Sequence, residues 1–297
     1  MTLAHGYTGP PELTPARLLS TWSPEPVLLV GVVLAGAVYL AGVRRLRARG
    51  DVWPGRRTAS TLAGLATIVL ATMSALGAYD DTLFSVHMVQ HMLLSVVAPV
   101  LLALGAPVTL ALRTAPAGAR ARLLAVLHSR AAAVVAFPLV GWVVFVGTPF
   151  ALYFSGLYEA TLRSSVLHAL LHLHLLLVGC LFCWPLLGLD PVPGRVSHGF
   201  RLVLVFAMLP FHAFLGISIM SSRSVIAADY YAALARPWGA SPLGDQHTGG
   251  GILWAAGDLV GLLLAVTLLL QWLRAEQRVA VREDRRLDRL ERAPSAR

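Results

Sequence analysis

Seven predominantly apolar stretches follow one another along the chain: 26–43, 58–79, 83–112, 131–153, 164–188, 200–221 and 251–273. A helix that crosses a bilayer needs about 20 such residues, within a range of about 17–25. The pattern therefore predicts an all-α, polytopic integral membrane protein, a bundle of seven transmembrane helices over residues 26–273. A segment 1–25 precedes the bundle and a charged tail 274–297 follows it. The tail alternates Arg with Glu and Asp and predicts a solvated helix, supported by pairs such as Asp288 with Arg292. No internal repeat is visible.

The third stretch is longer than the membrane requires. At 1.5 Å per residue its 30 residues would reach about 45 Å against about 30 Å of hydrocarbon. Pro99, Pro107 and the break signal Gly105-Ala106-Pro107 predict a membrane helix that ends near the break, with the remainder along the inner surface before Arg113. Pro185 falls near the inner end of the fifth helix, and Pro210 should kink the sixth.

Composition sharpens this. The chain is 57% apolar and 13% charged, with a mean hydropathy of +0.69, whereas soluble domains carry about 25% charged residues. That excludes a soluble enzyme, a disordered chain and an ordinary nucleic-acid binder. Two cysteines, Cys180 and Cys183, make no disulfide scaffold. All 24 basic residues are Arg, so chemistry that needs a lysine amine, such as a retinal Schiff base, is also excluded. The first stretch does not read as a signal peptide: it lacks a basic lead, and Arg44, Arg45 and Arg47 stand where cleavage would fall.

The arginines set the orientation. With the N-terminus outside, twenty of the 24 fall in the inner segments 44–57, 113–130, 189–201 and 274–297, and only Arg17, Arg163, Arg223 and Arg236 remain outside. Cytoplasmic loops carry such an excess. The net charge of +9 is thus a topology signal for a bacterial plasma-membrane protein rather than a mark of nucleic-acid partners.

Ionisable groups inside a membrane are costly and point to function. His5, His128, His198 and His247 fall outside the stretches; His87, His91, His168, His172, His174 and His212 lie within them. Helix rise places His87 and His168 about 6 Å, and His91 and His172 about 12 Å, below the outer surface. His212 falls at about 14 Å and Asp258, the one acidic residue within the stretches, at about 10 Å. Each i,i+4 pair, His87/His91 and His168/His172, shares one helix face. Two such helices could offer four nitrogens to one ion. His174 points elsewhere and fits helix packing, the ordinary role of a lone membrane histidine. Imidazole suits Zn, Cu, Fe and Ni; thioether suits Cu(I). Met88 and Met92, each following a site histidine, tilt the choice toward copper, although Met is also a common gap-filler. Cys180 and Cys183, about 24 Å down, fit two small buried side chains better than a metal relay.

The run His87-Met88-Val89-Gln90-His91-Met92-Leu93-Leu94, continued by Ala98-Pro99 and Leu104-Gly105-Ala106-Pro107, resembles the seven-helix CtaG-like cytochrome c oxidase assembly factors. So do His168-Ala-Leu-Leu-His172, Phe182-Cys183-Trp184-Pro185, Asp190-Pro191, Pro210-Phe211-His212-Ala213-Phe214-Leu215-Gly216, Trp238, Ser241-Pro242, Asp245-Gln246, Gly249-Gly250-Gly251 and Trp254. The likeness covers nearly all of the chain after residue 25. It implies a non-catalytic role in assembling haem-copper oxidase, with copper supplied to the binuclear centre of subunit I and received from an extracytoplasmic donor. His87, His91, His168, His172 and His212 would then handle the metal, while Asp245, Gln246 and Asp258 would orient ligands or line the entry; no role is implied for His247. The rival readings are a zinc-dependent membrane hydrolase built on Ser164-xxx-His168-xxx-His172, a haem- or quinol-binding protein, and a copper transporter without an assembly role.

The outer loop 222–250, rich in aromatics at Tyr230, Tyr231 and Trp238, should fold back over the histidine layer, with Asp245 and Gln246 at its mouth. The orientation has its own test. A reporter fused after residue 297 should be read on the cytoplasmic side; access from outside would reverse both the topology and the depths.

Overall fold

The computed structural model describes residues 7–191, 193 and 196–292. His5, Arg195 and Arg297 lie outside them, as does the side chain of Arg292 and with it the Asp288–Arg292 pair. The described residues form helices and no strand. In chain order the long ones are α1 (Pro26–Ala48), α2 (Gly55–Tyr79), α3 (Phe84–Thr114), α4 (Pro138–Tyr153), α5 (Ser165–Leu187), α6 (His198–Met220) and α7 (Pro242–Arg292). Six of these are long and apolar enough to cross a membrane. The exception is α4, which makes a seventh span only together with the short helix Leu157–Arg163, bent from it by 72°. The predicted stretch 131–153 is cut because Pro138 opens a new helix at its first turn, leaving Arg130–Val135 as a separate piece. Large apolar side chains such as Val27, Leu70, Leu170, Phe214 and Leu262 stay exposed around the bundle. Water would not tolerate so wide a patch, but lipid tails do.

The centre is α3, which packs on α2, α5 and α7, while its far end lies against α1. α6 pairs with α7, and α4 fits between α5 and α6. Without a hydrophobic drive between helices in lipid, close approach depends on small residues. At the α3–α5 crossing, a Cβ on Gly179 would fall 2.1 Å from the Ser95 carbonyl oxygen. At the α6–α7 crossing, one on Gly250 would fall 2.8 Å from the Gly216 oxygen. α3 is not regular: Leu93–Val97 form a π turn. Pro99 has no N–H for the Ser95 carbonyl and its ring crowds that position, so the wider turn relieves the clash.

Two expectations need correction. Ala106 takes the left-handed conformation (φ 49°), so the break falls where Gly105-Ala106-Pro107 placed it. Yet the chain resumes at Pro107 within one 31-residue apolar stretch instead of ending a span near residue 105. Asp190 holds the restarted helix in place. It is 1% exposed and accepts from Val108 N (3.3 Å), Thr109 N (2.7 Å), Thr109 Oγ1 (2.6 Å) and Trp184 Nε1 (2.9 Å). The second correction concerns α7, which begins at Pro242, so the loop is 222–241 and not 222–250. Ser241 Oγ accepts from Gly244 N (3.2 Å) and Pro242 occupies the first turn. The triplet Gly249-Gly250-Gly251 stays helical because α3 and α6 press against it.

Asp190→Asn sets an amide among four donors, so a buried donor loses its acceptor. It should destabilise the bundle by about 1–3 kcal/mol, read as a lower unfolding midpoint in detergent.

Candidate functional site

The turn between α2 and α3 carries Asp80 at the end of the bundle that holds the histidines. Leu83 N and Thr82 N both donate to Tyr79 O (2.8 and 3.1 Å), closing the turn and leaving Asp80 only 3% exposed. One face of α5 presents His168 and His172 to it. His168 Nε2 lies 2.9 Å from Asp80 Oδ2, and His172 Nε2 3.2 Å from the same oxygen. His172 Nε2 also lies 2.9 Å from Gln90 Oε1, and Gln90 is fixed by donating through Nε2 to Ala71 O (3.0 Å). With two acceptors around it, His172 Nε2 donates a proton. Burial alone would raise the Asp80 carboxyl; hydrogen bonds from His168 and His172, and their charge, outweigh it and hold the group below the usual carboxylate range. Neighbouring Asp81, without these partners, is raised, chiefly by burial.

Among the described residues, Asp80, His168 and His172 form the group of three whose ligand atoms lie within 4.8 Å of one another. Donor atoms on an ion with bonds of about 2.0–2.1 Å in tetrahedral array stand about 3.3 Å apart. The separations of 2.9 and 3.2 Å are therefore close to what an ion would set once it replaced the protons.

The other histidines are more fully buried. Tyr153 of α4 places its hydroxyl between His87 Nε2 (3.0 Å) and His91 Nδ1 (3.1 Å). Phe84, Tyr153 and Tyr158 box in His87, with the Tyr158 ring centroid 4.9 Å from it, and His87 Nδ1 is buried without a hydrogen-bond partner. His212 stacks on Phe145 at 5.7 Å and packs against Gly257, next to Asp258. A cavity of about 10 Å³, room for about one water, is lined by His91, Ser95, Thr148 and His212. Ser95 Oγ and Asp258 Oδ1 are buried and unpartnered.

The two histidine pairs thus do not converge on one ion: His168 and His172 turn to Asp80 and Gln90, whereas His87 and His91 turn to Tyr153. Met88 packs against Gly249, and it and Met92 belong to the apolar core. Cys183 is in that core too, and both cysteines are free. Asp245 binds Ser85, through its backbone N (3.3 Å) and its hydroxyl, and so caps the start of α3. Gln246 accepts from Ile226 N (2.6 Å) and donates to Ser224 O (3.1 Å); His247 bonds Ser222 O (2.9 Å). These three fasten the 222–241 loop to α7. The loop brings Tyr231 to Tyr158, hydroxyl to hydroxyl at 3.0 Å, and Trp238 against Tyr79.

The family model of the cytochrome c oxidase caa3 assembly factors (Caa3_CtaG) matches residues 37–275, every histidine of this layer included. The chain belongs to that assembly factor family. Curated relatives of the chain include uncharacterised proteins of Mycobacterium bovis and Mycobacterium tuberculosis, each 42% identical over 291 residues, and one of Mycobacterium leprae, 39% identical over 290. Each alignment covers 95% of this chain but 44% of the relative, so the chain spans less than half the length of the curated relatives it matches. No solved structure matches the chain.

Sequence reasoning missed Asp80, Gln90 and Tyr153. Asp80 falls between two apolar stretches and so escaped a search for ionisable groups inside them. Its signal was position, since the turn at 80–82 and His168, one turn into α5, lie at the same end of their helices. Gln90 sits inside the His-x-x-x-His run, on the face toward α2 and α5.

Asp80→Asn should weaken Co²⁺, used as a probe for the Asp80–His168–His172 group, by about tenfold or more, the loss typical of altered metal sites. Asp245→Asn, which alters a cap and no candidate ligand, should leave the Co²⁺ affinity of the folded protein unchanged. Spectrophotometric titration in detergent reads both.

Proposed function

We propose that this assembly factor takes copper as cargo at the Asp80–His168–His172 group and presents it to the binuclear centre of oxidase subunit I. The observation that carries the reading is the meeting of three ligand-bearing side chains at one end of the bundle, with two further histidines held by Tyr153. The arginine partition turns that end outward from a bacterial plasma membrane, toward an extracytoplasmic copper donor. Nothing in the transfer calls for covalent catalysis. Ligand exchange needs access, ligands of suitable softness and neighbouring sites of similar affinity. A carboxylate hardens the loading group, while His87, His91 and His212 offer imidazole alone, so copper in either oxidation state finds ligands in this layer.

The double change His168→Ala with His172→Ala removes the loading group. The factor should still insert, since Ala costs less than His in a span. Copper per oxidase, normalised to factor in the membrane, should fall to about a tenth or less, while His128→Ala and His198→Ala behave as wild type. Full copper occupancy with the pair deleted and the factor present would overturn the reading. One observation favours a second reading: two imidazoles and a carboxylate also make a zinc-hydrolase ligand set. One tightly held zinc per purified chain, with oxidase copper intact in a deletion strain, would decide for it.

A further inference from the structure

Gln90 stands between His87 and His91 in the sequence of α3, and its amide, 0% exposed, touches the loading group. A break in α2 holds it there. The first segment of α2 ends at Met73, where Ser74 turns extended (ψ −167°), so the carbonyls of the last turn lose their helical donors. Ser74 Oγ donates to Leu70 O, and Ser23 N to Met73 O. Ala71 O receives Gln90 Nε2 at 3.0 Å. That bond sets the direction of the amide, because the reversed group would put one carbonyl oxygen against another. Gln90 Oε1 is therefore presented to α5, 2.9 Å from His172 Nε2.

Two features set Gln90 apart from a residue that only orients a ligand. The first is the nitrogen it meets. A ligating histidine ordinarily gives its other ring nitrogen to an orienting partner. Gln90 Oε1 instead faces Nε2, the nitrogen of His172 that lies 3.2 Å from Asp80 Oδ2. An imidazole nitrogen holds a proton or an ion along one in-plane direction, so an ion that replaces this proton meets the oxygens that the proton meets. The second feature is spacing. The 2.9 Å from Gln90 Oε1 to His172 Nε2 matches the 2.9 and 3.2 Å between Asp80 and its two histidines. With Gln90, the group offers two imidazole nitrogens, a carboxylate oxygen and an amide oxygen. Met88 and Met92, the thioethers on either side of Gln90 in the sequence, belong to the apolar core instead. A mixed N,O set suits Cu²⁺, whereas thioether and thiolate select Cu⁺.

Building on the copper reading above, we propose that Gln90 Oε1 is the fourth donor of the loading group and biases it toward the divalent ion, Cu²⁺ over Cu⁺. An incoming ion trades water ligands for these four atoms, the proton on His172 Nε2 leaves to water, and no electron moves.

The experiment titrates the full-length protein in detergent with Cu²⁺, and separately with Cu⁺ under reductant against a colorimetric chelator. Wild type, Gln90→Leu and Gln90→Met are compared. The affinity counted is that of the component lost in the His168→Ala, His172→Ala double variant. Both single variants lose the bond to Ala71 O, so a structural effect is common to them; only Met returns a donor atom, and a soft one. Cu²⁺ binding should weaken at least about tenfold in both, the lower end of what disturbing a ligand's surroundings costs. Cu⁺ binding should stay within about twofold of wild type in Gln90→Leu and tighten at least about tenfold in Gln90→Met, where a thioether joins the set. A folded Gln90→Leu that binds Cu²⁺ like wild type, or two variants that weaken both ions alike, would overturn the fourth donor and leave the three-residue loading group standing. Should Gln90→Leu fail to fold, Gln90→Met against wild type carries the test, and an unchanged preference between the two ions overturns the proposal. A wild-type protein with no copper component that the double variant removes would overturn both readings.

Discussion

Hydrocarbon supplies no hydrogen bonds, and that constraint orders this structure. Each polar side chain placed on a buried helix face must be answered by another helix or it destabilises the bundle. The Asp80 carboxylate meets this demand at one end by gathering two imidazoles of α5 around a turn that belongs to α2 and α3. Asp190 meets it near the other end of α3 by gathering four donors from two helices. Between them, Tyr153 and Gln90 each reach across a helix boundary to satisfy histidines that would otherwise be stranded. The polar groups are thus the pins of the bundle as well as its candidate chemistry. A change at any of them is read first as a loss of fit between helices.

How much of this the sequence disclosed depended on range. Long apolar runs have one physical explanation, and six of the seven predicted stretches contain helices long enough to span. The fourth was misjudged in extent, because Pro138 begins a helix as readily as it ends one. The glycine triplet in α7 looked like loop by propensity. Its helical state comes from contacts with Gly216, Phe84 and Met88, which no local rule contains. In the candidate site, the i,i+4 spacing correctly put each histidine pair on one face. What each face looked at was a matter of bundle geometry, and so the partners on other helices stayed hidden.

The family match and the geometry bear on different questions. The match covers residues 37–275 and sets the context, the family of cytochrome c oxidase caa3 assembly factors. Context alone would give all five histidines equal weight. The side-chain arrangement ranks them: two beside a carboxylate at the bundle end, two clamped by a tyrosine hydroxyl, and one facing a cavity large enough for about a single water.

The π turn at Leu93–Val97 has a geometric effect on everything around it. An α-helix advances by about 100° per residue, so one additional residue in a single turn offsets the azimuth of the two flanking segments by roughly that angle. The stripe that carries His87 and His91 is thereby phased separately from the stripe that meets Gly179 and α2. The turn works as a vernier in the central helix, setting the angle of the ligand-bearing segment apart from that of the packing segment.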